Sequence, residues 1–228
     1  MNDATKYSSK VLKYRNLGWL VATLVLDVLI LLVIAFRSEV EDLSLTKAIA
    51  IRVGLTALLP LPALLLSWLV SPNQKAILVF WRRQYPLPGA RAFSIHAPAD
   101  PRIDLAALRR HVGEFPVAER DQNTKWYSLY KLVDSDPSVV DSHKSFLLFR
   151  DMAAMSLVLA VGVPLAMYFL GVGMPALKLA AGLFFAQYLL SAHAGRTAGV
   201  RFVQNVLAVH ASRKIVGSLP QDTPVVSV

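Results

Sequence analysis

Four apolar stretches, each long enough to cross a bilayer, set what this 228-residue chain can fold into. They run over roughly 17–36, 48–70, 152–170 and 175–192. A hydrocarbon core of ~30 Å takes about 20 apolar residues at a rise of about 1.5 Å per residue. Lipid offers no partner to backbone N–H and C=O groups, so each stretch must close its own hydrogen bonds as a helix. The sequence therefore predicts an all-α, polytopic membrane protein. It would have four transmembrane helices, a small helical cytosolic insert and a C-terminal amphipathic helix. Only 17% of residues are charged, against roughly 25% in a soluble domain. The absence of cysteine excludes disulfides, thiolate nucleophiles and cysteine-based zinc sites.

The first stretch has the basic lead of a signal peptide (Lys6, Lys10, Lys13, Arg15). It is too long for the apolar region of one, and Arg37-Ser38-Glu39 follows it in place of a small-residue cleavage site. It reads as a retained signal anchor.

Orientation follows the basic residues, which concentrate on the cytoplasmic side of a membrane. Residues 1–16 carry four Lys/Arg and one acid, and residues 72–150 carry twelve Lys/Arg and eight acids. The 37–47 connector is acidic by one, and the 171–174 turn is uncharged. Both termini and the 72–150 segment are thus expected in the cytoplasm of a bacterial cell, around a multi-pass inner-membrane protein. The expected organisation is a transmembrane hairpin at 1–71, an insert at 72–150, a second hairpin at 151–192, and an amphipathic helix with tail at 193–228. The net charge of +9 is then a topology signal, spread over three segments and mixed with acids. A nucleic-acid surface is not expected.

Within the insert, Ser71-Pro72 is an N-cap and first-turn pair, opening an interfacial helix near 72–84. Asp100-Pro101 predicts a helix near 101–112, and Asp121 a second near 122–133. In the latter Trp126, Leu129, Tyr130 and Val133 fall at i, i+3, i+4, i+7, the spacing of a buried face. Asp136-Pro137 opens a helix with no breaker before about 170. Residues 90–99 alternate weakly and predict a short extended segment. After the fourth stretch, Phe202, Val203, Val206, Leu207 and His210 share one helix face, expected to pack on the insert.

The functional pointers are ionisable and helix-breaking residues in apolar surroundings. Asp27 sits mid-way along the first stretch, where a carboxylate is expensive and seeks a partner or a wet cavity. Arg52 of the second stretch is the expected partner, with pore lining as the alternative. Pro60 and Pro62 in the second stretch, and Gly162 and Pro164 in the third, predict kinks at matching depth. Trp126, Tyr127, Tyr130, His143, Arg150, Arg196 and Arg201 form the expected cytosolic packing or partner face. No Walker loop, GxGxxG, HExxH or nucleophile elbow is present, so neither catalytic residues, a metal nor a cofactor is assigned. The sequence-level expectation is a non-enzymatic, self-associating membrane effector or channel-like component controlled through its cytosolic part. Its partners would be the lipid bilayer and further copies or a membrane-complex subunit. The alternatives are a membrane-embedded enzyme acting on lipid-like substrates, and an accessory subunit of a larger inner-membrane complex.

Overall fold

A computed structural model describes residues 9–39, 54 and 69–212. Among them every regular element is a helix, with no strand. The helices are α1 (Ser9–Glu39), α2 (Pro72–Phe80), α3 (Leu105–Val112), α4 (Glu119–Lys131), α5 (Pro137–Phe169) and α6 (Met174–Ser212). Three of them, α1, α5 and α6, hold stretches long and apolar enough to cross a membrane. The second apolar stretch, with Arg52, Pro60 and Pro62, lies outside the described residues. Its expected pairing with Asp27 and its expected kinks fall outside them as well.

The long helices pack by stripes. On α1 the buried positions are Leu20, Leu24, Asp27, Leu31 and Ile34, alternating steps of four and three along one face. That stripe meets Met155, Leu159, Val163 and Met167 of α5 and Leu177, Ala180 and Phe184 of α6. The opposite faces carry exposed Val25, Leu29 and Val33 on α1, Val161 and Leu165 on α5, and Leu183 and Leu190 on α6. Water does not tolerate apolar surface of this extent on a soluble monomer; lipid does. Pro164 lies inside α5 without ending it, and a side chain at Gly162 would meet nothing within 4 Å.

A second core lies at the other end of α5 and α6, where helices α2 to α4 gather. Trp126, Leu129, Tyr130 and Val133 are buried with Phe202, Val203, Val206 and Leu207 of α6. The two anticipated faces thus meet. His210, on the same α6 face, bonds through Nε2 with the Leu129 carbonyl at 3.0 Å. Helix α2 begins as its residues dictate, with a reciprocal capping box between Ser71 and Gln74. It ends at Trp81 (φ 54°), short of the expected residue 84, and lies against α5 and α6. Gly199 makes that contact possible: a Cβ there would stand 2.8 Å from Phe80 and 3.1 Å from Phe146.

Three local expectations are corrected. The helix expected from residue 101 starts at Leu105, because Asp104 caps it through the Ala106 and Ala107 amides. Asp100 is instead taken by Arg102, whose guanidinium it holds at 2.7 Å. Helix α4 begins at Glu119, after Ala118, with Asp121 inside its first turn and no side-chain cap. Residues 88–96 are not extended: a 3₁₀ turn (Pro88–Arg91) runs into a π turn (Ala92–His96). Their buried residues Ala90, Ala92, Phe93, His96 and Ala97 recur at three to four residues, which is helical spacing that a short window confuses with alternation.

His96 is 9% exposed with its Nε2 unpartnered among the described residues. Burial, then the nearby Arg91 charge, lowers its pKa from 6.5 to about 4. The unfolded chain binds this proton below about pH 6.5 and the folded chain only near pH 4. Its contribution is therefore full above pH 6.5 and is lost as pH falls toward 4. Over that window unfolding of the detergent-solubilised chain should become easier by roughly 2 kcal/mol. His96→Gln should remove that part of the pH dependence; an unaltered pH profile would assign it elsewhere.

Candidate functional site: a ring-lined pocket with two cations

Five of the seven residues expected to form a packing or partner face converge on one cavity of about 260 Å³. Helix α4 supplies Trp126, Tyr127, Tyr130 and Lys131 at i, i+1, i+4 and i+5, the first and third buried and Tyr127 and Lys131 exposed at the rim. Helix α5 supplies His143, Phe146, Leu147 and Arg150 at i, i+3, i+4 and i+7, a single stripe. Phe202 of α6 closes the floor, and Pro72 and the Leu87–Gly89 turn close the remaining walls. Gly89 is required by contact: a Cβ there would stand 2.6 Å from Trp126.

The wall is a mutually braced set of rings. Phe202 meets Trp126 edge-on at 5.1 Å and stacks on His143 at 4.5 Å with an interplanar angle of 4°. Tyr130 meets His143 edge-on at 5.4 Å, and its hydroxyl shares a 3.2 Å hydrogen bond with His143 Nδ1. Burial, with Asp134 nearby, raises the Tyr130 phenol to about 12, so it stays protonated. The Trp126 indole N–H is buried with no acceptor among the described residues.

Two cations stand in this wall. The Lys131 ammonium lies over the rings of Tyr127 and Tyr130, 5.7 and 5.3 Å from their centroids. Asp134 is 3.9 Å from it, and the side chain is half exposed. Arg150 is 6% exposed and lies over Phe146 at 5.7 Å. Its neighbour Asp151 accepts from it at 3.3 Å and from Lys75 of α2 at 2.9 Å. The cluster Lys75–Asp151–Arg150 is buried and carries one positive charge in excess. Among the described residues no Asp or Glu lines the pocket.

The other expected residues lie elsewhere. Arg196 donates to the Val79 carbonyl and lies 3.5 Å over Trp81, whose indole N–H donates to the Tyr188 hydroxyl. It therefore fixes α2 on α6. Arg201 is exposed beside a separate polar groove with Ser138, Ser142 and Asn205. Asp27 is fully buried on α1, both oxygens without a hydrogen bond among the described residues, with the Gln187 side chain of α6 reaching toward them. Sequence reasoning missed Lys131, Phe146 and the Lys75–Asp151 pair. The last had one legible sign, an acid at the edge of an apolar run.

Among the described residues, these features define an all-helical protein with three helices able to span a membrane and an acid-free aromatic pocket at one end of two of them. Compared with known proteins, no family model, no curated protein and no solved structure matches the chain.

Proposed function

We propose that this chain is a non-enzymatic, multi-pass membrane effector in which occupancy of the pocket changes the packing of the membrane-crossing bundle. In this reading it has four spans, lies in a bacterial inner membrane with both termini and the pocket on the cytoplasmic side, and works as a self-associated assembly. Four spans are few for a complete conduit, so several copies would supply one.

The observation that carries the reading is continuity. Helix α5 has 33 residues and α6 has 39, about 50 and 58 Å at 1.5 Å per residue. A bilayer core takes ~30 Å of each. The remainder of both helices projects beyond it, and the pocket walls stand on that projection. A ligand wedged between α4 and the α5–α6 base would act on the spanning segments without any hinge between them. Packed helices respond in discrete shifts of about 1–2 Å.

The chain lacks cysteine, so spin labels can be placed at will. With labels at Leu165→Cys and Leu179→Cys, exposed on α5 and α6, filling the pocket by Leu147→Trp should shift the inter-label distance by about 1–2 Å. An unchanged distance distribution would sink the effector reading. Orientation is read on intact cells with an impermeant thiol reagent. A cysteine at Met174, exposed beside the α5–α6 turn, should label and one at Ser138 should not; the reverse would put the pocket outside.

A further inference from the structure

The lining of the pocket specifies what it takes, given the reading above that it is a ligand site. Its lining includes three residues that carry strong donors: the Lys131 ammonium, the Arg150 guanidinium and the Trp126 indole N–H. The Trp126 N–H is buried and has no acceptor among the described residues. Leaving a buried donor unmade is costly, and such donors are commonly completed by a ligand or water. No carboxylate is among the described residues that line the cavity; Asp151 and Asp134, which pair with Arg150 and Lys131, stand outside the lining. The remaining lining is mostly ring and aliphatic carbon, with the Tyr127 and Tyr130 hydroxyls and the His143 imidazole as its other polar groups. Such a lining suits an acceptor-rich anion on an apolar or flat body.

We propose that the pocket binds a small phosphate ester, its phosphate drawn by Lys131 and Arg150 and its body laid against the aromatic wall. A phosphate suits the donors better than a carboxylate. The three donors stand on different turns of two helices, and a phosphate offers three terminal oxygens pointing apart, whereas a carboxylate offers two in one plane. Arginine adds the planar fork that matches phosphate oxygens in pairs. A cavity of about 260 Å³ lies below the usual range of roughly 300–1,000 Å³ for ligand pockets, which fits a compact ester and excludes a polymer. The phosphate can come from a soluble ester or from a lipid headgroup, since the pocket lies where α5 leaves its apolar stretch.

The test uses the full chain in a neutral detergent and phosphate-free buffer, with two probes and their neutral parents. Adenosine 5′-monophosphate is compared with adenosine, and dioctanoyl phosphatidic acid with dioctanoylglycerol, by calorimetric titration. At least one phosphate probe should bind about tenfold or more tightly than its parent, as a charge-assisted contact implies. Lys131→Gln, at a half-exposed position the fold tolerates, should reduce that advantage about tenfold, and Lys131→Arg should retain it. Trp126→Phe, which keeps a ring and removes the N–H, should weaken the same probe several-fold. Binding of the nucleotide alone assigns a soluble ester; binding of phosphatidic acid alone assigns a headgroup. Equal affinity for phosphate and parent in both pairs, or a phosphate preference untouched by Lys131→Gln, overturns the proposal. The same samples carrying the α5–α6 spin labels separate the two readings. Tight phosphate binding with no movement removes the effector role and leaves the ligand class. Movement driven equally by the neutral parents does the opposite.

Discussion

Asp151→Asn should destabilise the chain by ~3–5 kcal/mol, while Lys75→Met, on the other side of the same ion pair, should cost distinctly less. The difference comes from which charge is left behind. Asp151 accepts from both Lys75 and Arg150, and all three side chains are buried. Removing the carboxylate leaves two cations close together in a poorly hydrated site. Removing Lys75 leaves Asp151 and Arg150 as a neutral pair at 3.3 Å. The double variant Lys75→Met/Asp151→Asn should be more stable than Asp151→Asn alone, with a coupling of about 0.5–3 kcal/mol. Chemical unfolding of the detergent-solubilised protein reads all three. Equal losses for the two single variants would mean that Arg150 does not share the carboxylate.

The second large effect is at Trp126. The ring is 7% exposed, fills the space above Gly89, and meets Phe202 edge-on. Aromatic side chains bury ~150–250 Å² each, and cutting one from a packed core to alanine costs ~3–5 kcal/mol. Trp126→Ala should therefore lose about that much stability and open the pocket floor, since Phe202 and Tyr130 would lose the ring that braces them. Trp126→Phe should cost much less. If Trp126→Ala lost under about 1 kcal/mol, typical of an exposed substitution, the ring would not be part of the core.

Those two sites also show what the sequence could and could not reveal. Trp126 was legible because Leu129, Tyr130 and Val133 follow it at helical spacing, and a buried face declares itself by period. The matching face of α6, Phe202 to His210, was legible for the same reason, and so was their encounter, since little other apolar surface lay near. The long helices were legible from Asp136-Pro137, a cap and first-turn pair that nothing downstream contradicts.

The start of α3 was not legible, because Asp100 and Asp104 are equally good caps. The choice is made by Arg102, which takes Asp100 through its guanidinium. Residues 90–97 misled because Ala90, Ala92 and His96 fit a period of two, while Ala92, Phe93, His96 and Ala97 fit a helical turn. The pocket was half legible. Its aromatic and basic residues stood out by type, but that His143 and Arg150 share a stripe facing Tyr130 depends on how α4 crosses α5. The Lys75–Asp151 pair joins residues 76 apart, a juxtaposition no local pattern records.

Hydrogen exchange of Trp126→Ala tests most directly the central claim that α4, the base of α5 and the end of α6 form one packed unit around the pocket. The unit should open as a block, because its ring contacts are shared among all three helices. Protection is expected to fall together across 119–131, 139–150 and 198–211, while the α5–α6 segments at 155–184 keep theirs. Protection lost across 119–131 alone, with 198–211 unchanged, would contradict the account. Helix α4 would then not be packed on α6, and the pocket would have no floor.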